Sequence, residues 1–174
     1  MDTEELTMIR YCYRMKDLNF DLLMEVYAEA LEENWKDLYS KLDRAEGLLQ
    51  ARQDFYQYLH QVFFATKGAF YAIYLDNGTY MSAVRFEPYK DGLLLEAIET
   101  APSHRKKGYA YRLLHEAILH LRACGYQKIY SHISKKNTAS IRLHTACGFV
   151  KIADSATYID GDVSNRAFTF CRNL

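Results

Sequence analysis

Proline is nearly absent from this chain of 174 residues, which holds only Pro88 and Pro102. That scarcity excludes a polyproline linker and leaves room for long uninterrupted helices and strands. Glycine is sparse too, with 8 residues and no glycine-rich loop. Neither Gly-x-x-x-x-Gly-Lys-Ser/Thr nor the three spaced glycines of a dinucleotide fingerprint occurs, so neither of those phosphate cradles is built here. Four cysteines, Cys12, Cys124, Cys147 and Cys171, are scattered without a Cys-x-x-Cys pair. They read as buried reduced thiols rather than disulfides or metal ligands. His115 and His120 sit five apart, off the helical spacing that puts two ligands on one face, so no metal site is expected. No apolar run reaches the length of a membrane span, and the opening MDTEELTMIRYCYR has no hydrophobic signal core. The cytoplasm is the expected compartment, with no membrane partner. Repeats, linkers and low-complexity tracts are also missing, so residues 1–174 read as a single domain.

Net charge is zero, but its distribution is lopsided. Residues 1–102 hold 10 Lys/Arg against 18 Asp/Glu, a balance of −8, while residues 103–151 hold 10 against the single acid Glu116, a balance of +9. Residues 152–174 add 2 bases and 3 acids, −1, which closes the sum. A basic block so concentrated points to an anionic partner. Nucleic acid is disfavoured by the neutral total and by the lack of any nucleic-acid-binding module.

The block opens on the stretch that organises the chain, Leu93 to Leu121. Leu93, Leu94, Leu95, Ala97 and Ile98 make a strand-length apolar run that should end near Pro102. Beyond Gly108, Ala110, Leu113, Leu114, Ala117, Ile118 and Leu121 fall on a 3.6-residue stripe, with Gly125 as its stop. Arg105, Lys106, Lys107 and Gly108 therefore occupy a strand-to-helix turn. Unpaired N–H groups and the helix dipole make such a turn attractive to anions.

Earlier elements are readable from the same signals. Leu6 to Lys16 predicts the first strand, and Asp17 or Asn19 caps the helix that carries Phe20, Leu23, Val26, Tyr27, Ala30 and Leu31. A second helical stripe runs from Leu38 to Phe63, with a break expected near Gly47. Ala69–Leu75 and Thr79–Phe86 flank Asp76-Asn77-Gly78, a strong hairpin signal. Pro88 to Gly92 is a second turn into the Leu93 strand. Gln127–Ile133 is a strand, Asn137–Cys147 a short helix, and Phe149–Ile159 with Arg166–Cys171 a terminal hairpin.

Arg105-Lys-Lys-Gly108-Tyr109-Ala110 resembles the Arg/Gln-x-x-Gly-x-Gly/Ala signature of the GNAT acyltransferases, and Thr100-Ala101-Pro102 matches the step that precedes it. Downstream, Asn137-Thr-Ala-Ser140-Ile141-Arg-Leu143-His144-Thr-Ala-Cys-Gly148-Phe149 is similar to the family's second run. The resemblance is close over residues 93–149. It implies an α+β fold: a mixed, mostly antiparallel central sheet of about seven strands, flanked by about four helices. It also implies transfer of an acetyl group from acetyl-coenzyme A to a primary amine by direct attack in a ternary complex.

By that resemblance, the backbone of Ile98, Glu99 and Thr100 would meet the pantetheine arm and the oxyanion. Arg105, Lys106, Lys107, Gly108, Tyr109 and Ala110 would hold the pyrophosphate, and Asn137 would touch the arm unless it only caps its helix. The family's usual Tyr is His144 here, a candidate general acid or simply a packed helix residue. Glu96 is the candidate base, or else the partner of a cation across the sheet; odd spacing puts it on the face opposite Glu99. A sensor that binds acyl-coenzyme A without efficient turnover is the alternative, and a basic RNA adaptor a more distant one. The fold leaves room for a homodimer, and the acceptor's identity is not written in these residues.

Overall fold

The computed structural model describes residues 7–174; Leu6, where the first strand was expected to begin, lies outside them. Strand β1 (Thr7–Cys12) lies antiparallel to β2 (Phe70–Asp76), whose hairpin partner is β3 (Thr79–Tyr89). Antiparallel to β3 runs β4 (Gly92–Thr100). Pro88 belongs to β3 and pairs with Leu93, so the second turn is tighter than its proline suggests. The reason is position: the β2 ladder begins at the Phe70–Phe86 pair, and beyond it β3 is an edge on that side. A missing N–H costs nothing there.

Between β1 and β2 come three helices where two were expected: α1 (Phe20–Val26), α2 (Ala28–Leu38) and α3 (Arg44–Tyr58). The Asn19 side chain caps α1 through the Leu22 N–H at 3.1 Å, and Asp43 caps α3 through the Glu46 N–H at 2.9 Å. Gly47 does not break α3. A Cβ there would lie 2.0 Å from Trp35 Cδ1, so the glycine exists to let the α2 indole press against α3.

After β4, α4 (Tyr109–Ala123) crosses one face of the sheet and buries Leu113, Leu114, Ala117, Ile118 and Leu121, the stripe read from sequence. Each of the leucines and the isoleucine contributes about 1.5–3 kcal/mol on burial. Strand β5 (Lys128–Ser134) then pairs parallel to β4, and α5 (Thr138–Ala146) follows. The terminal segment is more than a hairpin. Strand β9 (Ala167–Asn173) inserts between β5 and β6 (Val150–Ala153), antiparallel to both, while β7 (Ala156–Thr157) and β8 (Val163–Ser164) form a small separate ribbon.

Among the described residues the result is a mixed α+β fold with a seven-stranded, mostly antiparallel sheet in the order β1-β2-β3-β4-β5-β9-β6 and five α-helices. One face packs on α4 through Phe70, Val84, Phe86, Leu93 and Leu95; the other packs on the N-terminal helices through Tyr71, Ile73, Leu75 and Ala83. Cys12, Cys147 and Cys171 are buried free thiols as expected, whereas Cys124 is exposed. Among the described residues no helix is long and apolar enough to cross a membrane.

Candidate active site

Strands β4 and β5 stay together for only three pairs, Leu93–Ile129, Leu94–Tyr130 and Leu95–Ser131, and then part. The cause lies in β4. Ala97 adopts φ 49°, and the register against β3 shifts so that one residue of β3, Val84, opposes two of β4, Ala97 and Ile98. This bulge bends the strand away from β5. It is fastened from outside the sheet by the buried Tyr27 at the junction of α1 and α2, whose hydroxyl donates to the Ala97 carbonyl at 2.6 Å.

The extra residue also changes the face. Glu96 pairs with Arg85 and Glu99 with Ala83, and those two β3 residues share a face. Glu96 and Glu99 therefore point to the same side, toward the N-terminal helices, contrary to the alternation expected from their spacing. Glu96 is half-buried and held by Arg85, with Nε 3.3 Å from Oε2, so the cross-sheet cation is its partner. Arg85 is itself clamped over the rings of Tyr58 and Phe63, at 5.1 and 5.8 Å. Burial raises the Glu99 carboxyl above its ordinary value; nearby Arg105 lowers it and Glu29 raises it.

Past the bulge, the Ala101 N–H bonds the Met81 carbonyl at 2.9 Å. Alternation then turns the main-chain groups of Ile98 and Thr100 toward the open side of β4. The Thr100 hydroxyl meets Ser82 at 3.3 Å, and Ser82 donates to the Glu99 carbonyl at 2.6 Å, which fixes this end of the strand.

The cationic turn follows directly. Lys106 and Gly108 take φ 62° and 81°, and among the described residues no backbone N–H from Lys106 to Tyr111 donates to a protein acceptor. Left-handed residues next to a helix start form a concave nest of N–H groups, here at the positive end of α4. A Cβ on Gly108 would meet nothing within 4 Å, so the bare backbone there faces open space. Lys106 and Lys107 are exposed. Arg105 turns the other way, with Nη1 2.6 Å from Glu29 and Nη2 3.7 Å from Glu99, and ties the turn to α2 and β4. Tyr109 reaches back to Asp76 at 3.4 Å, while Ala110 lies half-buried in the first turn of α4.

Asn137 caps α5 by accepting the Ser140 N–H at 3.0 Å, which leaves its amide nitrogen free to donate. His144 is buried at 1% exposure. Its Nδ1 lies 2.8 Å from the Ser140 carbonyl and its Nε2 3.0 Å from the Ser131 hydroxyl, so Nδ1–H donates and Nε2 accepts. Burial lowers its pKa below the ordinary 6.5, which keeps the ring neutral.

On the far side of the parted strands, facing the N-terminal helices, lies a cleft of about 550 Å³ lined by Arg85, Glu96, His132, Tyr158, Ser164 and Arg166. Of these only Glu96 was singled out from sequence. His132 and Tyr158 carry no motif, and they meet only because β9 and the β7–β8 ribbon fold back over β5.

The Acetyltransferase (GNAT) family profile matches residues 22–149, well over half of the chain, and the protein belongs to that family. No curated protein matches it in sequence. Among solved structures it is similar to the PaiA N-acetyltransferase of Thermoplasma acidophilum in complex with coenzyme A (15% identity, TM-score 0.64, covering 96% of this chain and 99% of that one). It is also similar to YncA of Salmonella typhimurium with acetyl-CoA (21%, 0.60, 97% and 94%). An N-acetyltransferase of Staphylococcus aureus is a third (19%, 0.61, 96% and 98%). At these identities the likeness is one of fold.

Proposed function

We propose that the protein moves an acetyl group from acetyl-coenzyme A to a primary amine by direct attack in a ternary complex. The observation that carries this is the parting of β4 from β5 beside an unpaired nest of N–H groups. A thioester on a long polar arm ending in phosphates fits such a wedge: arm between the strands, phosphates at the helix start.

In this reading the backbone from Lys106 to Ala110 takes the pyrophosphate, with the Lys106 and Lys107 ammonium groups adding charge. Arg105 anchors the turn through Glu29 and Glu99 instead of reaching the anion. The open-edge groups of Ile98 and Thr100 hold the arm and supply the N–H for the oxyanion. Asn137 caps α5 with its oxygen and donates to the arm with its nitrogen. His144 is a buried strut whose nitrogens are both engaged. Water, rather than His144, protonates the leaving thiolate.

The test is to incubate the protein with acetyl-coenzyme A and a panel of primary amines, following free thiol and the mass of each amine. Matched release of thiol and appearance of acetyl-amine supports the reading. A second reading, a sensor that binds acyl-coenzyme A, draws on the same engaged His144. Coenzyme binding without any thiol release would favour it.

A further inference from the structure

We propose that His132 is the general base of the acceptor cleft, taking a proton from the acceptor's ammonium group on Nδ1. The inference rests on the acyl-transfer reading above. Leu95 and Ser131 are the last pair before the strands part, and the next residue on each strand, Glu96 and His132, lines the cleft from opposite lips. A nucleophile approaching the wedge from that side passes between them.

Of the two, Glu96 is engaged by Arg85. His132 has a lone pair to offer, and its neighbours decide which nitrogen carries it. Tyr89 donates its hydroxyl hydrogen to the Thr157 carbonyl, so toward His132 Nε2, 3.5 Å away, the phenol can only accept. The accepting phenol thus assigns the ring proton to Nε2, which leaves Nδ1 as the bare nitrogen. Tyr89 and Tyr158 hold the imidazole edge-to-face, with centroids at 5.5 and 5.3 Å and interplanar angles of 86° and 88°.

The groups around the ring favour the neutral form. Partial burial and then Lys90 on the β3–β4 turn lower its pKa, Arg166 adds positive charge to the cleft, and Thr169 pairs beside it from β9. Tyr89, Tyr158 and Tyr130 supply the phenol groups nearest the ring. Among the described residues no carboxylate pairs with the ring, and the only acid in the cleft is neutralised by Arg85.

The chemistry balances. The ammonium gives one proton to Nδ1, and the freed nitrogen lone pair forms the N–C bond to the thioester carbon. As the tetrahedral adduct collapses, the C–S bond breaks with its electron pair on sulfur. The second nitrogen proton passes through water to the thiolate, and the imidazolium returns its proton to solvent.

Nitrogen-15 NMR of the labelled full chain, with the His132→Gln variant to assign the signal, reads the tautomer directly. The Nε2–H form with a bare Nδ1, titrating below 6.5, is expected; an Nδ1–H form overturns the inference. In kinetics, benzylamine is charged at neutral pH and needs a base, whereas trifluoroethylamine is largely uncharged and does not. His132→Gln and His132→Asn should lose on the order of a hundredfold in kcat/KM with benzylamine and little with trifluoroethylamine. Equal losses on both amines, or none on either, overturn it. If the wild type uses neither amine, the tautomer decides alone. Unaltered coenzyme A binding by the variants shows that they are folded. A wild type that binds no coenzyme A fails at the underlying reading, whereas one that binds it and shows no His132 effect loses only this inference.

Discussion

Gly108 shows how one missing side chain both permits a left-handed backbone and leaves open space beside it. Its φ of 81° places it where an L side chain is strained by about 1–2 kcal/mol, and no protein atom would fill the space its Cβ would take. Gly108→Ala should therefore lower the melting temperature modestly and weaken coenzyme A binding at least tenfold, checked by thermal denaturation and calorimetry. His144 makes the opposite case, a polar group wholly satisfied inside the core. Ser131→Ala leaves its Nε2 without a donor and should cost about 1–3 kcal/mol in denaturant unfolding.

Acid should weaken the fold through the same ring. The folded pKa of His144 is depressed, so the unfolded chain binds more protons as pH drops below about 6.5. Stability present above that pH is lost as it falls through the folded pKa. His132 acts in the same direction, while Glu87 and Glu99, raised by burial, are relieved by protonation at lower pH and oppose it. Comparing the urea stability of wild type and His144→Gln at neutral pH and at about pH 5 isolates the histidine. The variant's loss on acidification should be smaller.

Among the elements, the bulge in β4 and the helices that hold it matter most. Tyr27→Phe removes the hydrogen bond to Ala97 without opening a cavity. It should cost about 1 kcal/mol of stability and lower kcat more than KM, because the strand end that aims the Ile98 and Thr100 groups loses its fastening. Gly47→Ala should destabilise even though alanine is the better helix former by about 1 kcal/mol. Overpacking against Trp35 costs about 1–3 kcal/mol, and the indole fluorescence should shift.

These elements also mark what sequence can carry. The α4 stripe and its glycine stop were legible because one exposed face and one buried face repeat every 3.6 residues. The turn from Arg105 to Ala110 was legible because charge, glycine and helix start coincide. The bulge was not, since Ala97 is no turn residue and its carbonyl is held by Tyr27, 70 residues away. Without the bulge, the facing of Glu96 and Glu99 comes out wrong. Gly47 looked like a breaker because its reason, Trp35, lies on another helix. His132 looked like one more strand residue until the phenols folded over it from β3 and the β7–β8 ribbon.

Across the whole molecule, charge and topology work together. The acidic first part supplies the N-terminal helices on one side of the sheet, and the basic block opens at the α4 start where the strands part. One chain thus offers a cationic turn with unpaired N–H groups and, on the other side of the parted strands, a cleft that carries Glu96, His132 and an aromatic wall. Pairing β9 between β5 and β6 is what closes that wall, so the terminal segment belongs to the site as much as the signature turn does.

The central claim, that the turn from Lys106 to Ala110 and the wedge behind it hold acetyl-coenzyme A, is tested most directly by calorimetric titration of the full chain. Acetyl-coenzyme A and its 3′-dephospho form would each be titrated at low and high salt, against wild type and Lys106→Ala/Lys107→Ala. The account predicts micromolar binding, about −8 kcal/mol, weakened by salt and by the double substitution. No heat with millimolar coenzyme, or binding that ignores both salt and the substitutions, would contradict it.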